Sequence, residues 1–260
     1  MRWREISAVI GFALIFLSVG SVVPAAPTQT SSSEDSPAAR EAVDRVARLF
    51  SSKSSIATVK MQITNEDGQR NLSMKIWSLG DKVLILITNP PEEAGIAILK
   101  SGNDIKYYLP KSKRTVKLPA SMAMTSWMGS DFTIDDLVKE SFLTRDYSIS
   151  SSFDGNRGGV AVYEYTMTPH PDAAVVWGKI VLQIRQADSV PTWQGFYDED
   201  GKLVRELTFS EYKKTGDRLI PTRLVMRPAD KTDAQTTIDY EDIAFDVPVS
   251  EGIFSLPASK

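Results

Sequence analysis

Two adjacent carboxylates, Asp135 and Asp136, the single histidine, His170, and an acidic run, Asp198-Glu199-Asp200-Gly201, are the residues whose types and spacing could do chemistry. A carboxylate pair can run acid/base catalysis or hold a cation, but neighbours on a helix diverge by about 100° and do not converge on one atom. Thr133, three residues before Asp136, gives the pair another role: a capping box at a helix start, where carboxylates also meet the positive end of the backbone dipole. His170 lies between Pro169 and Pro171, a loop pattern, and any His-dependent triad would have to use it. No Gly-x-Ser-x-Gly elbow, Gly-rich phosphate loop or converging set of zinc ligands accompanies it. The acidic run lacks the later bidentate Glu of a calcium loop, and Asp200-Gly201 between two strand patterns reads as a hairpin turn. The expected sets of catalytic, cofactor-binding and metal-binding residues are therefore empty, and the chain does not read as an enzyme.

The remaining unusual chemistry is apolar. Between runs of alternating strands, Met122 to Asp136 carries Met122, Met124, Trp127, Met128 and Phe132 in a polar segment broken by Gly129. Methionine is flexible and polarizable, so such a stretch suits an adaptable apolar plug or movable lid; completing an ordinary core is the other use of the same five residues. Strand residues Val59, Met61, Met74, Ile76, Ile85 and Ile87 fall on common faces by their period of two. Periodicity shows that they share a face, and leaves open whether that face is a packed core or a cavity wall.

The elements that must position these residues are mostly strands. Ser36 and Pro37 open a helix whose face carries Ala39, Val43, Val46 and Phe50, with Ala42 and Leu49 beside them, and Thr133 opens a second, short one. From Ser55 onward the period is two, with turns expected at Asn65 to Gly68, Gly80-Asp81, Gly102 to Asp104, Lys111 to Arg114, Asp154-Gly155, Asp200-Gly201 and Gly216-Asp217. Many strands and two helices predict a mainly β fold: a strongly curved antiparallel sheet, an incomplete β-barrel, whose concave face the helices cover.

The N-terminus has the three parts of a secretory signal peptide: Arg2 and Arg4, an apolar run from Ile6 to Val19, and small residues at Val23 and Ala25 that favour cleavage after Ala25. The expected organisation is a signal peptide over 1–25, a polar flexible lead over 26–36 and one domain over 37–260. Cleavage removes two positive charges and one negative, taking the formal charge from −3 to −4. A mildly acidic chain disfavours nucleic acid, since phosphate binding needs clustered Lys and Arg. The exported chain has no cysteine, which excludes disulfides, thiolate metal sites and a lipid-modified terminus, and leaves a chain free of any lipid tether of its own, expected as a monomer.

Trp127-Met128-Gly129-Ser130-Asp131-Phe132-Thr133 followed by Asp135-Asp136-Leu137-Val138, Tyr108-Leu109-Pro110-Lys111 with Arg114, Trp177-Gly178-Lys179, Tyr197 to Lys202, Gly216 to Thr222 and Phe254-Ser255-Leu256 give the chain a family resemblance over about Val43 to Leu256. It resembles the periplasmic outer-membrane lipoprotein-sorting proteins of the LolA-like superfamily. The resemblance implies a half-barrel with an apolar cavity that takes acyl chains of a lipoprotein or another lipid and moves them towards the outer membrane, with transient membrane contact. It also implies an inner-membrane exporter as partner, of the resistance-nodulation-division (RND) or ABC type. The alternative it leaves open is a non-enzymatic accessory protein of an RND-type exporter.

Overall fold

A computed structural model describes residues 35–119, 122–138, 143–173 and 175–257. The expected signal peptide and residues 26–34 of the expected lead lie outside the described residues.

Helix α1 covers Pro37–Ala47, followed by strands β1 (Ser54–Asn65), β2 (Gly68–Leu79), β3 (Lys82–Asn89), β4 (Ala97–Ser101), β5 (Asp104–Leu109) and β6 (Arg114–Leu118). Short helices α2 (Ile134–Val138) and α3 (Leu143–Asp146) lead into β7 (Tyr147–Arg157), β8 (Val160–Pro169), β9 (Lys179–Arg185), β10 (Pro191–Tyr197), β11 (Leu203–Thr215), β12 (Arg218–Pro228) and β13 (Gln235–Phe245). All belong to one antiparallel sheet of 13 strands, in the order β6-β5-β4-β3-β2-β1-β13-β12-β11-β10-β9-β8-β7. It is the curved, unclosed sheet that alternation predicts.

The strand order explains where the odd segment falls. β6 and β7 follow one another in sequence yet form opposite edges of the sheet. The connection between them must cross the open mouth of a curved sheet, and it is the connection that carries the Met-rich stretch, α2 and α3. Register shifts at Thr58/Val59, Ser73/Met74, Ser151/Phe153 and Phe196/Tyr197 add local twist of the kind that bends a sheet into a trough. The inner faces of both halves then meet in one core: Val59, Met61, Met74, Ile85, Ile87, Ile149, Met167, Ile180, Leu182 and Met226 belong to a single buried cluster.

Three local expectations change. Ser36 sits at the N-cap of α1 with extended backbone, but its side chain makes no capping bond. Asp35 is used instead, its carboxylate accepting from Arg40 at 2.6 Å and from the Ile149 amide at 3.3 Å, which ties the helix start to β7. The helix ends at Ala47, so Leu49 and Phe50 lie in the turn after it and Phe50 stacks on Tyr240 with ring centroids 5.3 Å apart. Asp154-Gly155 is no turn: β7 continues to Arg157, and the turn falls at Gly158-Gly159. Gly155 is needed because the Phe153 ring lies over it, where an added Cβ would come within 2.8 Å of the ring.

Candidate functional site

The connection across the mouth is an apolar plug held by polar clasps. Trp127 and Phe132 are 2% and 4% exposed, and the Trp127 amide donates to the Phe132 carbonyl at 2.9 Å, folding the stretch into a tight loop. Met128 takes a positive φ of 56° beside Gly129 at 77°, which turns the chain back on itself. From β2, Arg70 donates to the Met128 carbonyl at 2.8 Å, and from β5 the Tyr107 hydroxyl reaches the Met128 sulfur at 3.0 Å. Burial holds the Tyr107 hydroxyl above the ordinary tyrosine range, with the charge of Glu93 adding to it.

The expected capping box forms. Thr133 N–H donates to Asp136 Oδ2 at 2.7 Å and Asp136 N–H donates to Thr133 Oγ1 at 3.1 Å, so α2 starts with both amides satisfied. Asp136 also has a partner that sequence reasoning missed: Arg205 of β11 binds it through two parallel bonds of 2.8 Å. Arg205 is a buried cation, also donating to the Asp131 carbonyl at 3.2 Å and lying 4.7 Å and 4.6 Å from the Trp177 and Phe196 ring centroids. Asp131 is fastened to β13 by Thr236, whose hydroxyl donates to its carboxylate at 2.7 Å and accepts from its amide at 2.9 Å. Burial still pushes the Asp131 carboxyl above its ordinary value, against that hydrogen bond.

Behind this plug is a cavity of about 680 Å³, within the range of ligand sites for small molecules. Its floor is the inner face of the second half of the sheet, including Leu182, Phe196, Leu207, Phe209, Leu224 and Met226; α1 contributes Val43 and Val46, and the cover contributes Met124, Phe132 and Leu137. Trp177 enters from the loop before β9 and packs on Phe196 at 5.2 Å between centroids. Gly178 makes that loop possible, since a Cβ there would lie 2.5 Å from the Asp198 carbonyl oxygen. The polar part of the wall includes Ser55 and Ser78, bonded to each other at 2.7 Å, Gln194, Tyr147 and Tyr240. Burial pushes the Tyr147 and Tyr240 hydroxyls up to about 12.

The residues picked from sequence divide among three places. Ile76, Met124 and Phe132 line the cavity. Val59, Met61, Met74, Ile85 and Ile87, each about 1% exposed, join Trp127 in the packed core without reaching the cavity wall, and Met128 packs partly buried against that core. Met122 is 44% exposed on the outside of the segment. The cavity wall from β9 to β13 was missed although Leu182, Leu207 and Phe209 alternate as clearly as β1, because alternation is identical on a plugged and an open stretch of the same face. His170 lies in the loop after β8 with Ser148 Oγ 3.2 Å from its Nδ1. Among the described residues no group of three or more His, Asp or Glu could hold a metal ion.

A family model whose description reads uncharacterized protein matches residues 80–258. No curated protein sequence matches the chain. Among solved structures, the chain is similar to a candidate outer membrane lipoprotein-sorting protein domain from Vibrio parahaemolyticus at 25% identity and a TM-score of 0.72, covering 84% of this chain and 96% of that one. A DUF1329 family protein from Desulfovibrio piger matches at 21% identity and a TM-score of 0.75, over 84% and 96% of the two chains. A LolA superfamily protein from Nitrosomonas europaea matches at 20% identity and a TM-score of 0.69, over 84% and 97%. The chain thus belongs to the family defined by the model over residues 80–258, and its fold is that of the LolA-like lipoprotein-sorting proteins.

Proposed function

We propose that this protein is an exported, non-enzymatic carrier that shelters acyl chains of a lipoprotein or other lipid in the cavity and moves them across the periplasm towards the outer membrane. The single observation that carries this reading is the cavity of about 680 Å³ between the inner face of β9 to β13 and a methionine-bearing cover. Each methylene removed from water contributes about 0.8 kcal/mol, so a long acyl chain gains on the order of 10 kcal/mol gross, and release requires a competing use of the same apolar surface. The cover supplies it: Met124, Phe132 and α2 close over the cavity when it is empty and move aside as chains enter. Its polar fastenings are at Asp136, Asp131 and the Met128 carbonyl, and Phe132, Ile134 and Val138 add core burial, so opening exchanges those hydrogen bonds and apolar contacts for acyl contacts.

Export by a cleaved signal peptide over 1–25, a single domain over 37–260 and delivery from an RND-type or ABC-type inner-membrane exporter belong to the same reading. It is tested by native mass spectrometry of the mature protein purified without detergent, followed by solvent extraction of whatever is bound. A stoichiometric acylated species is the expected result. A protein that comes out empty and takes up no offered lipid or lipopeptide would exclude a carrier and leave the accessory role.

A further inference from the structure

Positive charge is gathered at one edge of the sheet. From Asp104 to Leu118, strands β5 and β6 and the turn between them hold five cations, Lys106, Lys111, Lys113, Arg114 and Lys117, against one carboxylate, Asp104, on a chain whose formal charge is −3. All five are exposed. Lys117 pairs with Asp104 at 2.6 Å, and the other four form no ion pair among the described residues.

β6 is an edge strand, and lysines on an edge also block pairing with another chain. The opposite edge shows that blocking needs no excess of charge: β7 carries Ser150, Ser151, Ser152 and Asp154, and its Arg157 is paired with Glu164 at 3.5 Å. The β6 edge also exposes apolar side chains, Val116 at 40% and Met122, in the turn that follows, at 44%. Unpaired cations beside exposed apolar groups fit the surface of an anionic bilayer, where the first meet headgroup phosphates and the second the acyl boundary. Four of the five cations are lysines, point charges on flexible stems that suit a diffuse layer of phosphates, whereas a folded acidic partner favours the planar fork of arginine. The edge also runs directly into the cover, since Met124, two residues beyond Met122, lines the cavity.

We propose that the β6 edge, with its turn at Lys111 to Arg114, is the surface by which the protein docks on anionic phospholipid, with Val116 and Met122 as its apolar contacts and the cover beside it. The proposal extends the carrier reading, but docking is measured without cargo, so either can fail alone.

The test is flotation of the mature protein with phosphatidylcholine vesicles, with or without about one-third phosphatidylglycerol, at low salt and at about 0.5 M salt. Binding to the anionic vesicles alone is expected, weakened about tenfold or more by the salt. Lys111→Gln, Lys113→Gln and Arg114→Gln together are expected to weaken it about tenfold or more, and each alone about two- to fivefold, which serves should the triple variant be unstable. Lys202→Gln, Lys213→Gln and Lys214→Gln, which remove the same charge at or beside β11, should together stay within about threefold of the unaltered protein. Val116→Ser with Met122→Ser is expected to weaken binding about threefold and to leave its salt dependence in place. No flotation with anionic vesicles, or equal losses in the two triple variants, would overturn the proposal and leave the cations as protection of the edge. Binding of soluble polyglutamate in place of the vesicles, abolished in the Lys111, Lys113 and Arg114 variant, would also overturn it and assign the patch to an acidic protein.

Discussion

Arg205 concentrates more interactions than any other polar residue of the candidate site: two bonds to Asp136, one to the Asp131 carbonyl, and contact with the packed pair of Trp177 and Phe196 rings. Its side chain is 8% exposed and that of Asp136 22%, so the pair is shielded from solvent without being sealed. Removing one member strands the other charge, whereas replacing both by apolar groups removes the desolvation cost together with the attraction. Arg205→Met and Asp136→Leu are each expected to lower stability by about 2–4 kcal/mol, and the double variant to lose less than the sum. Denaturant midpoints of the four proteins measure this coupling. Additive losses would mean that the bidentate pair does not fasten α2, and that the clasp lies elsewhere.

At the scale of elements, the strands were legible because burial follows the alternation: Ala57, Val59, Met61 and Ile63 of β1 are all buried, and the residues between them are not. What misled was chemistry that looks local and is tertiary. Asp154-Gly155 has a turn composition, yet the glycine serves the Phe153 ring; Ser36 has a capping composition, yet the start of α1 is tied down by Asp35. The connection stood out by its composition, and its Trp127 and Phe132 are buried, but the residues that clasp it, Arg70, Arg205 and Thr236, come from strands far away in sequence and carry no motif of their own. Helix α2 has only five residues, too short to persist by propensity, and depends on its cap and those clasps. Thr133→Ala deletes one half of the capping box and is expected to cost about 1 kcal/mol, with Thr133→Ser restoring most of it. If the helix opens as a local unit, amide exchange over 134–138 should accelerate about fivefold while exchange in β1 and β13 stays unchanged. Acceleration spread through the sheet would instead mean that the cover and the trough unfold together.

The whole molecule is one sheet with two differently used faces. The inner face carries the main core, the cavity and the cover, whereas the outer face holds a second, small core in which Leu84, Ala97 and Leu99 are roofed by Ile253, Phe254 and Leu256. The C-terminal segment is fixed there at its margins, by Lys82 paired with Glu251 at 3.0 Å and by the Thr115 hydroxyl donating to the Pro257 carbonyl at 2.6 Å. β3 and β4 therefore have apolar residues on both faces, which is why Ala97-Ile98-Leu99 reads as a continuous buried run. If the outer core only stiffens the sheet, stability and binding separate across its thickness. Phe254→Ala with Leu256→Ala is expected to lower stability by about 2–4 kcal/mol, below the full cost of two buried truncations because both side chains are only partly covered. Displacement of the neutral dye N-phenyl-1-naphthylamine by monopalmitoylglycerol should stay within about twofold of the unaltered protein, since neither residue lines the cavity and β3 gives its wall only Val83, on the face opposite Leu84, while most of the strand residues in that wall come from β9 to β13. A parallel loss of affinity would show that curvature, set partly from the outer face, fixes the width of the cavity, and would make the C-terminal segment part of the cavity's working geometry.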